Sequence, residues 1–371
     1  MASFISRLSA LGYEKVFRAL ARRRPPRAEP IEIGEDARIL CFTCAGIGDT
    51  LTDSVVFKAL RETFPDALLA GVVHRRRRLL LEHNPYVNQI FLFHKGPRVF
   101  WKLRKELAAW GPWNAILHLR GNDPEPRCLS YLLDPDVTVS TPNMTRLSFL
   151  CGHQLEQPDW DATHGVEQTL RLARYIGATT SEPHLVYAVH DEDRSRLEEK
   201  LRRLLIGTKP RLVVQLGGGR RASWRDWPVE RYAQLLRLCA HELTAEVFVL
   251  GGEDQEERIR ELDRFFINET KPYRDVVNKL SLAESAALLA SAQVLVSTDT
   301  GIMHLGFAVG TRVVAIIHCN NPSNRVGPYG YGNRHRVVQL ARPANYRTPA
   351  DADMADIAAQ TVFLRVKELG F

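Results

Sequence analysis

Residues 293–317 read QVLVSTDTGIMHLGFAVGTRVVAII. QVLVS (293–297) and RVVAII (312–317) are short apolar runs with the length and β-branched content of buried strands. Between them, Asp299 and Thr300 can cap a helix that begins near Gly301 and carries His304 in its first turn. Strand, helix and strand at this spacing make a βαβ unit, and such units build parallel sheets. In open sheets of that kind, ligands bind beyond the carboxyl ends of the strands. The stretch therefore sets the fold class and marks Asp299, Thr300, Gly301 and His304 for chemistry. The helix amino terminus presents unpaired N–H groups that suit a phosphate. The plainer role of Asp299 and Thr300 is capping, and that of His304 is packing.

The alternation extends in both directions. RLVVQL (211–216) and EVFVL (246–250) read as strands, and 191–205, 229–241, 254–266 and 282–291 as helices. An earlier set of strands at 38–43, 67–73, 89–93 and 115–119 alternates with helices at 50–63, 99–110 and 165–176. Residues 178–190 read as the linker between the halves. A last helix spans roughly 351–369 and can pack on either half. Two such halves predict an α/β protein of two Rossmann-like domains facing across a central cleft. The expected divisions are a basic leader at 1–34, an N-terminal domain at 35–185 and a C-terminal domain at 186–371.

The 371 residues, 45% hydrophobic and 25% charged, are enough for two cores. No apolar run reaches the length of a transmembrane helix, and the N-terminus lacks the pattern of a secretory signal. The six cysteines are scattered. Cys41 and Cys44 form a lone CxxC on or just after a strand, which reads as small buried thiols in a reducing compartment rather than a redox or zinc motif. Net charge is +7, and residues 1–30 hold seven basic side chains against two acidic ones. Phe4, Ile5, Leu8, Leu11, Phe17 and Leu20 recur there at roughly helical spacing. This leader reads either as an amphipathic helix drawn to an anionic membrane surface or as a poorly ordered or core-docked helix, with a transit peptide as a further reading. Aromatic interleaving is sparse, which disfavours a nucleic-acid surface.

The loops after the strands carry the candidate chemistry. Gly46-Ile47-Gly48-Asp49 follows the first strand, and Asp49 either caps the next helix or serves as a general base. Gly217-Gly218-Gly219-Arg220-Arg221 and then SWRDWP (223–228) follow strand 211–216. Free backbone N–H groups and the guanidinium fork of Arg225 suit a phosphate. Glu253 follows Gly251-Gly252 and either meets ribose hydroxyls or interacts with a helix dipole. Residues 320–332, NNPSNRVGPYGYG, read as a wall of the same cleft. Arg120, after the fourth strand, and Arg76, in the run Arg75–Arg78 after the second, are placed to meet an anion. The plainer reading of the arginine run is a solvated surface. Asp134-Pro135-Asp136 reads as a turn rather than a metal-holding carboxylate pair.

Four segments together resemble the ADP-heptose:lipopolysaccharide heptosyltransferases, glycosyltransferase family nine. They are GIGDTLTDSVVFKALRETFPDA, HNPYVNQIFLF, LGGGRRASWRDWPVERYAQLL and LSLAESAALLASAQVLVSTDTGIMHLGFAVGTRVVAI, and the likeness covers roughly residues 38–340. The D-T-G-x-x-H block is the most distinctive. The resemblance implies a GT-B fold and an inverting displacement, in which an acceptor oxygen attacks the anomeric carbon of an ADP-linked sugar. It implies Asp49 as the base. It implies Gly48, Gly218, Arg225, Glu253, Asp299, Thr300, Gly301 and His304 around the donor. Arg120 and Arg76 are expected to meet an anionic glycan or glycolipid acceptor of the lipopolysaccharide-core kind.

With no DxD pair placed to hold one, no obligatory metal or other cofactor is expected. The expected location is the cytoplasm, peripheral on the inner face of the membrane. The chain departs from the family pattern in three places: Arg225 where many members carry Lys, Gly306 where Ala is commoner, and HCNNPSN in place of G-x-T-x-P. Another nucleotide sugar or a non-lipid acceptor, an epimerase of the same shape, and a non-catalytic binding protein are the competing readings.

Overall fold

A computed structural model describes residues 2–27, 32–121, 123–141, 146–156, 159, 162–203, 209–218 and 223–371. Gly219, Arg220 and Arg221 of the glycine-arginine loop lie outside the described residues, as do the side chains of Phe4, Ile5, Leu8 and Leu11. The chain forms two compact units: Met1–Asp159 with Gly165–Pro183, and Trp160–His164 with His184–Phe371.

The first unit runs α1 (Ala2–Arg23), β1 (Arg38–Thr43), α2 (Ile47–Thr63), β2 (Leu68–His74), α3 (Arg78–Glu82), β3 (Gln89–Phe93), α4 (Pro97–Trp110), β4 (Ala115–Arg120), α5 (Pro124–Leu133), β5 (Val137–Ser140), β6 (His153–Gln154) and α6 (Gly165–Tyr175). Its six strands are parallel, in the order β3-β2-β1-β4-β5-β6. Leu40 and Phe42 of β1 join a core cluster with α4, α5 and α1. Ile39 and Cys41, also fully buried, point to the other face by the two-residue period of a strand. A strand buried on both faces reads as an uninterrupted apolar run, which is why RILCFT is legible.

The second unit runs α7 (Asp191–Arg203), β7 (Arg211–Gln215), α8 (Val229–Glu242), β8 (Glu246–Leu250), α9 (Glu256–Arg264), β9 (Arg274–Asp275), α10 (Leu282–Ser291), β10 (Val294–Thr298), α11 (Gly301–Ala308), β11 (Arg312–Ile317), α12 (Ser323–Val326), β12 (Arg336–Gln339) and α13 (Ala359–Glu368). The sheet is again parallel, ordered β12-β11-β10-β7-β8-β9. Counted from its own first strand, this is the same order as in the first unit. Both sheets reverse direction of growth once, between β1 and β4 and between β7 and β10. A doubly wound sheet opens its ligand crevice at that reversal.

The opening stretch is the β10–α11–β11 unit that its pattern predicts. Gly306 brings α11 down onto the sheet, since a Cβ there would lie 2.6 Å from Leu295 Cδ2 and 3.3 Å from Val313 Cγ2. The departure from Ala at this position is therefore a packing feature.

Some elements escape the sequence pattern. Helix α5 opens on Pro124 and Pro126, which read as a loop, and residues 125–131 are buried all round, Glu125 and Arg127 included. The expected last helix at 351–369 starts only at Ala359, after separate 3₁₀ turns at 349–351 and 354–356. It packs on the second unit, where Val362, Phe363 and Val366 share a core with Trp227 of the WRDWP loop. Trp227 is fully buried and donates its indole N–H to Ile357 O at 2.9 Å.

The leader is a helix docked on the first unit. Phe17 is buried edge-on against Tyr131, whose hydroxyl donates to Arg24 O at 2.7 Å. Arg24 and Arg27 pair with Asp134 and Asp136. That aspartate pair is thus a turn, with Asp134 in the left-handed region at φ 52° ending α5. Among the described residues, no helix is long and apolar enough to cross a membrane.

Candidate functional site

In the first unit, the reversal between β1 and β4 carries a carboxylate–guanidinium group. Gly48 and Asp49 are the second and third residues of α2. Asp49 Oδ2 accepts the Gly46 amide at 3.2 Å, a capping bond that leaves the side chain 50% exposed. Oδ1 stands 3.5 Å from Arg120 Nη1. One carboxylate oxygen thus caps the helix, while the other faces Arg120 on a half-exposed side chain.

Arg120 ends β4 and is held from three sides. Its Nε donates to Asp53 Oδ1 at 2.9 Å, Nη2 donates to the Gly165 carbonyl, and Nη1 faces Asp49. Asp53 is fully buried one helical turn beyond Asp49, and its Oδ2 accepts the Thr43 hydroxyl at 2.7 Å. Burial raises the Asp53 carboxyl to about 6, against the lowering pull of Arg120 and Thr43. Sequence reading missed Asp53. The available signal was a carboxylate four residues after Asp49, on the same helix face. Arg76 lies apart, exposed on the 3₁₀ turn 75–77. No hydrogen bond or ion pair among the described residues joins it to this group.

In the second unit, Asp299 and Thr300 divide the work at the end of β10. Thr300 is the N-cap of α11, its hydroxyl accepting the Met303 amide at 3.5 Å. Asp299 does not cap. It is 7% exposed, and its Oδ2 accepts Arg225 Nη1 at 2.9 Å and Asn321 Nδ2 at 2.5 Å. His304 Nε2 lies 3.7 Å from Oδ1. Burial alone would raise this carboxyl, but His304, Arg225 and Asn321 together hold it below its ordinary range. His304 thus does more than pack: it faces Asp299 beside the first turn of α11, where the amides of Gly301 and Ile302 are orphans of the helix start. Asn321 comes from the HCNNPSN loop that departs from the family pattern.

Gln215, the last residue of β7, ties the two loops together. Its Oε1 accepts Ser297 Oγ at 3.2 Å, Thr300 Oγ1 at 3.5 Å and the Gly217 amide at 3.1 Å. Gly217 turns at φ 108°, a conformation that favours glycine. The Gly218 amide donates to Asp226 Oδ1 at 2.8 Å. This corrects one expectation: the amides of Gly217 and Gly218 are already satisfied and are not free for a phosphate, so Gly218 offers only close approach. Asp226 in turn sits 3.7 Å from Arg258.

The two tryptophans of this loop take different places. Trp227 belongs to the core, while Trp224 lies edge-on to His318 at 4.9 Å and beneath the Arg225 guanidinium at 5.1 Å. Arg225 Nε is buried with no hydrogen-bond partner among the described residues. Glu253 opens the 3₁₀ turn 253–255 as an exposed carboxylate. Its turn is anchored to the glycine loop by Gln255 Nε2, which donates to Gly217 O at 3.3 Å. Burial pushes the thiols of both Cys41 and Cys44 up, away from the thiolate form a redox or metal role needs.

Comparison with known proteins places this geometry. Residues 128–351 match the model of glycosyltransferase family 9 (heptosyltransferase). Lipopolysaccharide heptosyltransferase 3 of Escherichia coli (strain K12) is 22% identical over 285 residues, 72% of this chain and 79% of that protein. Lipopolysaccharide heptosyltransferase 1 of the same strain is 32% identical over 124 residues, 33% of this chain and 36% of that one. Among solved structures, a glycosyl transferase family 9 protein from Veillonella parvula superposes with TM-score 0.77 at 18% identity, over 90% of this chain and 97% of that one. E. coli ADP-heptose lps heptosyltransferase II gives 0.74 at 19%, over 90% and 98%. At these identities the superpositions establish the fold, two Rossmann-type units of the GT-B class. With the family model matching well over half its length, the chain belongs to glycosyltransferase family 9, the heptosyltransferases.

Proposed function

We propose that the protein transfers a heptose from ADP-heptose to a hydroxyl of a lipopolysaccharide-core-like acceptor, with inversion at the anomeric carbon. The observation that carries the reading is the chemistry at the two sheet reversals. One holds an accessible carboxylate beside a fixed guanidinium, and the other holds a helix start beside an Arg225–Asp299 pair. The relatives support the choice of substrates: they are named lipopolysaccharide heptosyltransferases, and E. coli heptosyltransferase WaaC is known in complex with ADP-2-deoxy-2-fluoro heptose.

In the proposed reaction, Asp49 takes the proton of the acceptor hydroxyl. The oxygen forms its bond to the anomeric carbon as the bond from that carbon to the diphosphate oxygen breaks from the opposite face. The Gly301 and Ile302 amides and Arg225 stabilise the negative charge that develops on the leaving ADP. Asp299 and Asn321 hold Arg225 and its loop in place, and Thr300 holds the helix start. Glu253 meets the ribose, and His304 lies beside the pyrophosphate and sugar. These groups supply the positive charge the leaving group needs, so we propose no obligatory metal. Arg120 is committed to Asp53 and Asp49, so it tunes the base and meets the acceptor only with its outer edge. Arg76 is the exposed cation for an acceptor phosphate or carboxylate. The proposed workplace is the cytoplasm, where the basic leader suits peripheral contact with a membrane that carries the acceptor.

Incubation with ADP-heptose and a panel of truncated lipid-linked acceptors, read by mass spectrometry, tests this. One acceptor is expected to gain the mass of a single heptose. A gain seen only with a different nucleotide sugar would replace the donor assignment.

A further inference from the structure

The formal net charge of +7 is not spread over the molecule. Helix α1 carries Arg7, Lys15, Arg18, Arg22 and Arg23 against Glu14, and α4 carries Arg98, Lys102, Arg104 and Lys105 against Glu106. These two helices account for the whole excess, and the remaining residues are neutral in sum. They also share one side of the first unit. Phe17 of α1 and Phe100, Leu103 and Leu107 of α4 enter the same hydrophobic cluster, and both helices pack against α5. Since α5 is buried all round, α1 lies outermost over it.

The outward stripe of α4 is Arg98, Trp101, Lys102 and Lys105, all exposed, at the i, i+3, i+4, i+7 spacing of one helix face. On α1 the exposed residues include Lys15, Val16, Leu20, Arg22 and Arg23. Trp101 and Val16 are each 59% exposed. Trp101 is held outward, edge-on to Phe100 at 5.3 Å with the Arg104 guanidinium 5.8 Å over its ring. An outward tryptophan ringed by cations, on the side of the unit that also carries a helix with apolar residues between cations, has the composition of a membrane-interface anchor. Anionic headgroups complement the charge, and the acyl boundary takes Trp101, Val16 and Leu20. A nucleic-acid surface would present several aromatic faces for stacking, and among the described side chains this face exposes one.

We propose that the joint outer face of α1 and α4 docks on a bilayer rich in anionic lipid. The leader is one half of this surface, and α4 with Trp101 is the other. The surface rests on the peripheral membrane contact proposed above and extends it from the leader to α4, while the sugar chemistry stands apart from it.

The test is co-sedimentation of the full chain with phosphatidylcholine vesicles containing about a third phosphatidylglycerol, against pure phosphatidylcholine. Strong preference for the anionic vesicles, weakened by salt, is expected. Lys102→Gln with Lys105→Gln lowers partitioning about twenty-five-fold, at about fivefold per cation near an anionic surface. Trp101→Ser lowers it about tenfold through lost apolar burial. All three side chains are exposed, so melting temperatures stay at the wild-type value. Equal partitioning to neutral vesicles, unchanged binding of both variants, or release from vesicles by low concentrations of duplex DNA overturns the proposal. Transfer to a soluble truncated acceptor is unaffected in these variants, so failure of docking and failure of sugar transfer read separately.

Discussion

Replacing Asp53 with asparagine keeps the shape of a fully buried side chain and removes its charge. Asp53 draws Arg120 Nε to 2.9 Å, while Asp49 stands 3.5 Å from Nη1. Without that competitor, Arg120 closes on its one remaining carboxylate, Asp49. At an effective dielectric constant of about 20, a unit pair gains roughly 1 kcal/mol when 3.5 Å shortens to about 2.8 Å. A carboxylate stabilised by that much is about five- to tenfold less basic. The kcat for transfer is expected to fall by that factor at unchanged donor KM.

The pH profile adds a readout that packing alone would not move. Burial holds Asp53 at about 6, with Arg120, Thr43 and Asp49 around it. The wild-type rate therefore falls as Asp53 takes its proton, while Asp53→Asn runs at the reduced rate without that limb. The stability sign follows from the same raised value. Between about pH 4 and pH 6 the folded state binds more protons at this site than the unfolded state, so stability falls with rising pH there, by about 3 kcal/mol. Asparagine removes that slope. Initial rates from about pH 5 to 9 and urea melts at both ends of the titration measure the two effects. An unchanged kcat, with an acid limb near 6 surviving in the variant, refutes the reasoning.

Three further outcomes follow from the same geometry. Asp49→Ala lowers kcat by about 10²–10⁴-fold and leaves ADP affinity by calorimetry intact, so substantial turnover in this variant removes the base assignment. Arg225→Ala raises the Kd for ADP by about ten- to a hundredfold, the worth of a charge-assisted hydrogen bond or two, and lowers the melting temperature because Asp299 keeps a buried charge without its cation. An unchanged Kd takes Arg225 out of the donor site. Gly306→Ala costs about 1–3 kcal/mol in denaturant melts, because the added carbon meets Leu295 at 2.6 Å, and a neutral result would mean α11 shifts freely on the sheet.

Much of this architecture was legible because buried parallel strands are unbroken apolar runs, as in RILCFT and RVVAII. The loops after them announce themselves by glycine, aspartate and arginine. Asp49 and the Asp299–Gly301 turn stand out as candidates by their position at the carboxyl ends of β1 and β10. What stayed hidden depends on contacts between distant segments. Gln215, Asn321 and Asp53 are ordinary polar residues until the fold brings Thr300, Asp299 and Arg120 beside them. The glycine loop misled in the opposite direction: its described amides looked free but are taken by Gln215 and Asp226. Helix α5 stayed hidden because Pro124 and Pro126 at its start read as a loop.

The central claim is direct, inverting transfer by Asp49. Nuclear magnetic resonance of the purified product, made from ADP-heptose and the acceptor that gains a heptose, tests it most directly through the anomeric proton and carbon of the transferred sugar. The expected product has an anomeric configuration opposite to that of the donor, formed by the wild type and absent with Asp49→Ala. Retained configuration, or the same product formed at wild-type rate without Asp49, would contradict it.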